Sequence, residues 1–405
     1  WNLKQLTLVA FYYQPSLDEA RAQLLAAQAA RITAGERPNP SISVTPGYDS
    51  QIPGTPSPWI VPVSLDWTIE TAGKRGDRMA QARFMAEAAR WNLVGTVWQV
   101  RSAVRAALLN LYSTRQTESL LAQQEMAQSN VVRLLEGQYS AGNVSSYEVA
   151  QARIALDTTT LSLQAATGQY RQARVGLASA LGLSLSALDR VKFSFADLNE
   201  FPKRLTNPMI RREALLNRAD VRSALANYAA SQAALQLQIA YQYPDLHIGP
   251  GYSWNGGSAG DSQWDLGVTL TLPILNQNQG PIAEATANRK LAAAHFVTVQ
   301  SAAIGQIDGV LVAYKAALQQ VATAESLLKN SQQSLNSIRA QMQAGEIEPL
   351  AVVNAEVTFN TEAQSRLNAM VQAQQALGQL EDAVQSPLTL SPSAIHAAEG
   401  KANSE

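Results

Sequence analysis

A strictly alternating run of apolar and polar residues, residues 264–274, is the clearest pattern in the chain. Its apolar members are Trp264, Leu266, Val268, Leu270, Leu272 and Ile274, and polar or small residues separate them. Successive side chains of a β-strand point to opposite faces, so this period of two predicts a strand with one apolar face. The same alternation occurs 205 positions earlier, starting at Trp59. The chain therefore contains a tandem duplication.

Each copy has a second predicted strand, so that residues 41–49 pair with 59–70 and residues 245–254 pair with 263–274. Six aromatic residues lie near the strand ends and are predicted to form an aromatic belt at a membrane surface: Tyr48, Trp59, Trp67, Tyr252, Trp254 and Trp264. A strand of roughly 9 to 11 residues with an apolar outer face suits a tilted crossing of a bilayer. The alternative is a soluble two-layer sheet whose apolar face covers a core.

After Gly73 the apolar period changes from that of a strand to that of a helix. No proline occurs from Arg75 to Ser140, and a helix of this length would extend roughly 100 Å. Apolar residues recur at spacings of three and four in both copies: Val97, Val100, Val104, Ala107 and Leu111, then Ile304, Ile307, Leu311, Tyr314, Leu318 and Val321. This spacing predicts coiled-coil packing.

Each long helix ends at a glycine, Gly142 or Gly345, which we expect to adopt the left-handed conformation that stops a helix. A shorter helix then returns, which predicts two helical hairpins at about 75–182 and 281–385. The predicted fold is mainly α with a small β part, built as a tandem repeat. The first repeat covers residues 1–190 and the second covers 208–386. They are joined by a linker, 191–207, and followed by a loosely packed tail, 387–405.

Composition excludes several classes of function. Charged residues make up 16% of the chain and the net charge is −1, so no basic surface for nucleic acid is predicted. The absence of cysteine excludes disulfides and thiolate metal sites. No run of 18 apolar residues occurs, so we expect any membrane crossing to use strands. Because the chain starts at Trp1, we expect an export signal, and any lipid-bearing cysteine after it, to have been removed or left out.

The histidines His247, His295 and His396 are too widely separated for a chelating motif, and no serine, histidine and acid grouping has a recognisable spacing. We therefore predict no enzymatic activity, no cofactor and no resident metal. By strand parity His247 lies on the polar face of its strand, and a weak contact with a passing solute is the alternative interpretation of this residue.

The repeated order of helix, strand pair, long helix, glycine turn and returning helix resembles the outer-membrane efflux family typified by TolC. The junction Leu272–Ala285, with the sequence Leu-Pro-Ile-Leu-Asn-Gln-Asn-Gln-Gly-Pro-Ile-Ala-Glu-Ala, is similar to the branch that serves cobalt-zinc-cadmium efflux systems of the RND type. The resemblance implies a homotrimer with a 12-stranded outer-membrane β-barrel continued by a periplasmic α-helical barrel. Independently, four strands cannot close a barrel in lipid, whereas three chains supply twelve.

The resemblance further implies a passive exit duct in the outer membrane of a Gram-negative bacterium. Its expected partners are a periplasmic adaptor, an inner-membrane RND pump and outer-membrane lipid, and its expected cargo is heavy-metal cations. Drugs or other organic solutes are the alternative cargo. A soluble coiled-coil scaffold is the alternative of another class.

In this family the hairpin tips carry acidic residues that ring the periplasmic constriction. The first hairpin keeps Glu148, whereas the second has Ala351 and Asn354 where the family often has aspartates. The nearest acids there are Glu346, Glu348 and Glu356. We predict a negative collar that favours cations, and the alternative is that these are helix-end charges favoured by the dipole. Adaptor docking is expected at the tips, around Gly142, Gly345, Tyr147 and Leu350.

Overall fold

The computed structural model describes residues 1–48, 50, 57–202, 212, 215–256 and 262–388. The helices are α1 (Leu3–Tyr13), α2 (Pro15–Gly35), α3 (Lys74–Ser140), α4 (Ser146–Leu181), α5 (Ala219–Ala240), α6 (Gln279–Gln343) and α7 (Pro349–Val384). The strands are β1 (Ser41–Val44), β2 (Gly47–Tyr48), β3 (Trp59–Ile69), β4 (Leu246–Asn255) and β5 (Gln263–Leu270). The chain is thus mainly helical with one small sheet, as the sequence predicts.

The sheet is antiparallel, with the order β1-β3-β4-β5 and with β2 also paired to β3. Its centre is the β3–β4 ladder, in which Val63 lies opposite Tyr252 and Ile69 lies opposite Leu246. Because β3 comes from the first sequence copy and β4 from the second, the two copies build a single sheet.

Two strands are shorter than predicted. The strand expected at 41–49 is interrupted after Val44, because Pro46 has no N–H to donate to a ladder; residue 49 lies outside the described residues. The strand expected at 263–274 ends at Leu270, which pairs with Leu246. Continued pairing would set Leu272 opposite Pro244, whose nitrogen cannot donate, and the backbone instead turns, with Ile274 N–H donating to Leu272 O at 2.9 Å.

No strand residue within the described part of the sheet is buried, and most apolar residues of β1, β3 and β5 are exposed. Ile42, Trp67, Trp264, Leu266 and Val268 all present large apolar surfaces. A soluble two-layer sheet would cover this face with a core. The structure therefore does not support that alternative.

The chain divides into two compact units that do not coincide with the two sequence repeats. A helical unit comprises Trp1–Glu19, Val94–Arg218 and Ser301–Glu405, and a sheet-bearing unit comprises Ala20–Leu93 and Ala219–Gln300. Each unit therefore contains residues from both copies. The predicted linker 191–207 and tail 387–405 are described only as far as residues 202 and 388.

The core of the helical unit follows the predicted seams. In α6, the residues Ile307, Leu311, Tyr314 and Val321 are buried and pack against Ala373, Leu377 and Leu380 of α7. In α3, the residues Val100, Val104 and Leu111 are buried. The spacing of three and four therefore marks the helical packing face, as expected for a coiled-coil seam.

Among the described helices, α6 has the length and composition needed to cross a membrane, with an 18-residue window of mean hydropathy 1.4. The expectation from unbroken apolar runs missed this helix because polar residues such as Gln300, Gln306 and Asp308 interrupt its apolar residues. Core helices of soluble proteins pass the same test, so it is weak evidence for a spanning helix.

Candidate gate and membrane-facing surfaces

Both hairpins turn through the same backbone motif. Gly142 has φ 77° and Gly345 has φ 75°, both in the left-handed region. Asn143 N–H donates to Gln138 O at 2.9 Å, and Glu346 N–H donates to Gln341 O at 3.0 Å. These six-to-one bonds, with the glycine N–H bonded to the residue three before it, define Schellman motifs. A Cβ on either glycine would meet nothing within 4 Å, so the backbone angle alone requires glycine.

The first returning helix, α4, begins with a capping box. Ser145 is its N-cap and accepts from Glu148 N–H at 3.3 Å, while the Glu148 carboxylate accepts from Ser145 N–H at 2.7 Å and from its hydroxyl at 3.0 Å. These hydrogen bonds from Ser145 lower the pKa of Glu148 below its ordinary value of 4.5. Glu148 is therefore exposed and ionised, but its carboxylate is directed at the cap.

The second returning helix, α7, begins differently. Glu348 is its N-cap residue, Pro349 follows at the first helical position, and the Glu348 side chain makes no capping bond. Its carboxylate instead accepts from Gln138 Nε2 of α3 at 3.0 Å. This bond joins the second hairpin to the first at the tips. Glu346 is exposed beside it.

The fourth predicted collar residue, Glu356, lies two turns along α7 and is bound to Arg339 of α6 at 2.7 Å. The matching place in the first hairpin holds Arg153 and Glu136, which are 2.5 Å apart. Glu136 and Arg339, and likewise Arg153 and Glu356, are 203 positions apart, so the two hairpins carry the same pair with its charges exchanged.

The tips themselves are acidic. Residues 137–152 contain Glu148 and no lysine or arginine, and residues 340–355 contain Glu346 and Glu348 and no lysine or arginine, which gives one plus two negative charges per chain. Tyr147 is exposed and Leu350 is half-buried beside these acids. The structure thus brings three of the four predicted acids to the tip region, and leaves Glu356 in an ion pair.

Five of the six predicted belt aromatics gather at the loop end of the sheet. Tyr48 packs edge-on against Trp59 at 5.3 Å between ring centroids, and Tyr252 packs against Trp264 at 4.8 Å. Trp254 lies opposite Val61 in the same region. Trp67 lies opposite Ile248, toward the helical end. Paired aromatics at the loop end are typical of a membrane–water boundary.

Comparison with known proteins identifies the family of this chain. The family described as "Outer membrane efflux protein" matches residues 12–183 and 210–384. The chain belongs to the outer membrane efflux protein family. The predicted family, the outer-membrane location and the absence of an enzymatic role are thereby confirmed, because members of this family are efflux conduits. The soluble scaffold alternative is replaced by this assignment.

Individual relatives are distant. The cobalt-zinc-cadmium resistance protein CzcC of Cupriavidus metallidurans is 24% identical over 295 residues, covering 72% of this chain and 69% of CzcC. The pyoverdine export outer membrane protein OpmQ of Pseudomonas aeruginosa is 24% identical over 297 residues, covering 69% of this chain and 62% of OpmQ. The outer-membrane channel OprN superposes with a TM-score of 0.80 at 18% identity, covering 96% of this chain and 91% of that one. The last comparison establishes a shared fold.

Sequence reasoning missed a buried polar network between the two repeats of this efflux channel. Arg105 of α3 is 7% exposed and donates to Gln374 O and to Gln374 Oε1 of α7, both at 2.8 Å. Glu381, 1% exposed, accepts from both Nη1 and Nη2 of Arg101 at 3.1 Å and lies 3.6 Å from Arg105 Nε. Burial lowers the pKa of Arg105. The available signal was two arginines spaced by four on an apolar helix face.

Gly378 explains how this network fits. A Cβ at Gly378 would collide with Arg105 Nη1, so a larger residue there would displace the guanidinium from its hydrogen bond to Gln374 O. Gln374 Nε2 also donates to Leu198 O at 2.6 Å. The network therefore connects α3, α7 and the segment between the repeats.

The polar face of the sheet contains His247, as parity predicts. His247 Nδ1 lies 3.1 Å from Asp66 Oδ2 and 3.3 Å from Thr68 Oγ1. Across the described part of the chain, no group of three or more histidine, cysteine or acidic side chains is arranged to hold a metal ion. His396 lies outside the described residues. Nothing at His247 goes beyond a local polar contact.

Proposed function

We propose that the chain forms a homotrimeric exit duct of a tripartite efflux pump and that this duct passes divalent heavy-metal cations. A periplasmic adaptor would dock around Gly142, Tyr147, Gly345 and Leu350, and an inner-membrane RND pump would supply the cargo. Outer-membrane lipid would surround the exposed apolar face of the sheet.

The acidic tips carry the cation part of this proposal. Each chain contributes Glu148, Glu346 and Glu348 and no basic residue to the two turns. Three chains would contribute nine carboxylates to one constriction. Clustered carboxylates lower the energy of cations in a narrow pore and raise that of anions. Because Glu148 also caps its helix, its charge is held in place by the fold.

The sheet supports the trimer. β1 and β5 lie at the two ends of the sheet order, so each has one edge without a partner strand among the described residues. Unpaired strand edges are not tolerated in lipid. Pairing β5 of one copy with β1 of the next would close the sheet, and the family's trimeric assembly is consistent with this.

The two relatives CzcC and OpmQ are named for different classes of cargo. CzcC is named for cobalt, zinc and cadmium and OpmQ for pyoverdine, and their identities to this chain are the same at 24%. The metal proposal rests on the acidic tips and on the junction Leu272–Ala285, which is similar to the metal branch. The organic alternative rests on OpmQ.

Planar bilayers test the collar. The purified protein would be inserted, and reversal potentials would be measured across gradients of potassium chloride and of zinc chloride. The triple variant Glu148→Gln, Glu346→Gln, Glu348→Gln removes the charge while glutamine still serves the capping box. We expect the cation-to-anion permeability ratio to fall several-fold. Glu87→Gln, an exposed acid in the sheet-bearing unit, is the matched control and should change nothing.

An unchanged permeability ratio in the triple variant would refute the collar. Cargo is tested separately, by producing the chain in a cell that lacks its own channel but keeps the pump and adaptor. Restored tolerance to zinc, cobalt and cadmium supports the metal cargo. Restored export of an organic siderophore alone would favour the alternative.

A further inference from the structure

The run of exposed apolar residues in β5 continues beyond the point where the strand ends. After Leu270, Leu272 is 63% exposed, Ile274 is 74% exposed and Leu275 is 97% exposed. This junction segment, Leu272–Leu275, follows the lowest rung of the sheet, where Ile69, Leu246 and Leu270 lie side by side. Four residues that include three large, exposed aliphatic side chains are unusual for a loop in water.

Strand length gives a reason for this surface. The eight residues of β5 would extend about 26 Å at 3.3 Å per residue, which is about 19 Å of bilayer at a tilt near 45°. The apolar band of an outer-membrane protein is about 25 Å tall. β5 is therefore too short to cover the band alone. The junction segment follows at the end where apolar surface is missing.

The surroundings of the junction segment are amphipathic. A groove of about 690 Å³ beside it is lined by Tyr241, Tyr243, Pro244 and Lys74. Both tyrosines are exposed, and Lys74 is buried with its ammonium 2.7 Å from Asp245 Oδ1. The groove thus offers phenol rings and aliphatic surface, while its lysine is already neutralised. Tyrosine beside aliphatic residues is the composition of a membrane–water interface.

We propose that the junction segment Leu272–Leu275 is a lipid anchor that contacts the acyl chains of phospholipid in the inner leaflet of the outer membrane. Tyr241 and Tyr243 lie at the level of the headgroups. The anchor extends the exposed apolar surface of β5, so the lipid-contacting surface ends at the junction segment rather than at the last hydrogen-bonded strand residue. This inference rests on the outer-membrane location and not on the cargo.

Spin labelling tests the anchor directly, because the chain has no native cysteine. Single variants Leu272→Cys and Leu275→Cys would carry a nitroxide in the full-length protein, reconstituted in vesicles of phosphatidylethanolamine and phosphatidylglycerol. Collision with oxygen, which partitions into lipid, and with a water-soluble nickel chelate would be measured by electron paramagnetic resonance. Val268→Cys on the apolar face and Thr269→Cys on the polar face are the controls.

We expect labels at 272 and 275 to match the label at 268, with an oxygen-to-nickel accessibility ratio several-fold above that at 269. High nickel accessibility at 275 would mean that the segment lies in water and would overturn the proposal. Low accessibility to both reagents would mean that protein, such as a second copy, covers the segment, and would also overturn it. Removal of cation selectivity by the tip variants would leave these readings unchanged.

Discussion

The two helical hairpins have the same backbone conformation at their turns and differ in nearly every polar contact. Both turn through a Schellman motif at a glycine with φ near 75°. The first hairpin then starts its returning helix with the Ser145–Glu148 capping box, whereas the second starts with Pro349 and directs Glu348 to Gln138 of the first. Two turns away the ion pair has exchanged its charges.

This difference shows which features a duplicated hairpin must keep. Glycine at the turn and apolar residues along the seam determine the backbone, and both are present in each copy. Exposed ion pairs contribute little net energy at a surface, so they are free to diverge. Divergence has placed two acids in the second turn and one in the first, which matters for a pore rather than for the fold.

The largest expected effect comes from breaking the buried polar network of Arg105, Gln374 and Glu381, which connects α3 to α7. Arg105→Ala removes a buried guanidinium from Gln374 and Glu381, and should lower the free energy of unfolding by about 3 kcal/mol. Urea titration in detergent, followed by circular dichroism, measures this loss. Arg153→Ala, which breaks an exposed pair, is the control and should cost less than about 0.5 kcal/mol. Equal losses of unfolding free energy in the two variants would contradict the prediction that the buried network stabilises the protein more than the exposed pair does.

Alanine substitutions at the two turn glycines test whether the hairpins are equivalent at the positions where the backbone adopts a left-handed conformation. Gly142→Ala and Gly345→Ala should each destabilise their turn by about 1–2 kcal/mol, because a Cβ disfavours the left-handed region. Neither new methyl group meets a neighbour, so the two losses should agree. Hydrogen exchange of residues 138–150 and 341–353 reports each turn separately. A markedly larger loss in one turn would indicate a constraint beyond φ.

Cap substitutions should separate the hairpins. Ser145→Ala should cost the first hairpin about 1 kcal/mol, because α4 loses its side-chain cap. Glu348→Ala should leave the start of α7 within a few tenths of a kcal/mol, because that side chain makes no capping bond. Hydrogen exchange at the first turn of each helix measures both. A comparable loss at α7 would mean that Glu348 supports its helix through the bond with Gln138.

Acidification should weaken the N-cap of the returning helix in the first hairpin only. The folded pKa of Glu148 lies below 4.5, so its capping contribution is fully present above that pH and is lost as the pH falls through the lowered value. Exchange protection at residues 146–149, corrected for the intrinsic rate, should therefore fall below pH 4.5. Glu148→Gln keeps the capping geometry without titrating, and should lack this dependence.

The smallest effect is expected from exchanging the charges of one ion pair. The double variant Glu136→Arg, Arg153→Glu gives the first hairpin the polarity of the second and should change the free energy of unfolding by less than about 0.5 kcal/mol, since both side chains are exposed. The same urea titration applies. A loss above 1 kcal/mol would show that a neighbouring group interacts with the charges of this ion pair.

Periodicity predicted the fold well because it shows which face of a strand or helix is apolar. The alternation at Trp59–Ile69 identified a strand, and the spacing of Ile307, Leu311 and Tyr314 identified a packed seam. The glycine turns were predictable because only one residue type suits their φ. The early end of β5 was not, because it depends on Pro244 lying opposite Leu272, which becomes visible only once the register is known.

The candidate sites were harder to predict. Glu148, Glu346 and Glu348 were found by their position, but nothing local distinguishes a capping carboxylate from a pore charge. Arg105 and Glu381 are 276 positions apart, so no sequence window contains both, and the glycine that admits the guanidinium is far from Arg105 in the chain. Pairings of this kind require the tertiary structure.

The central ladder of the sheet has a consequence for biosynthesis. Thr68 and His247, which face each other across β3 and β4, are 179 residues apart. Pairing over such a separation requires closure of a very long loop, which slows folding and leaves intermediates exposed. The β3–β4 ladder can therefore form only after β4 has been synthesised, and until then the edge of β3 that β4 covers has no partner strand.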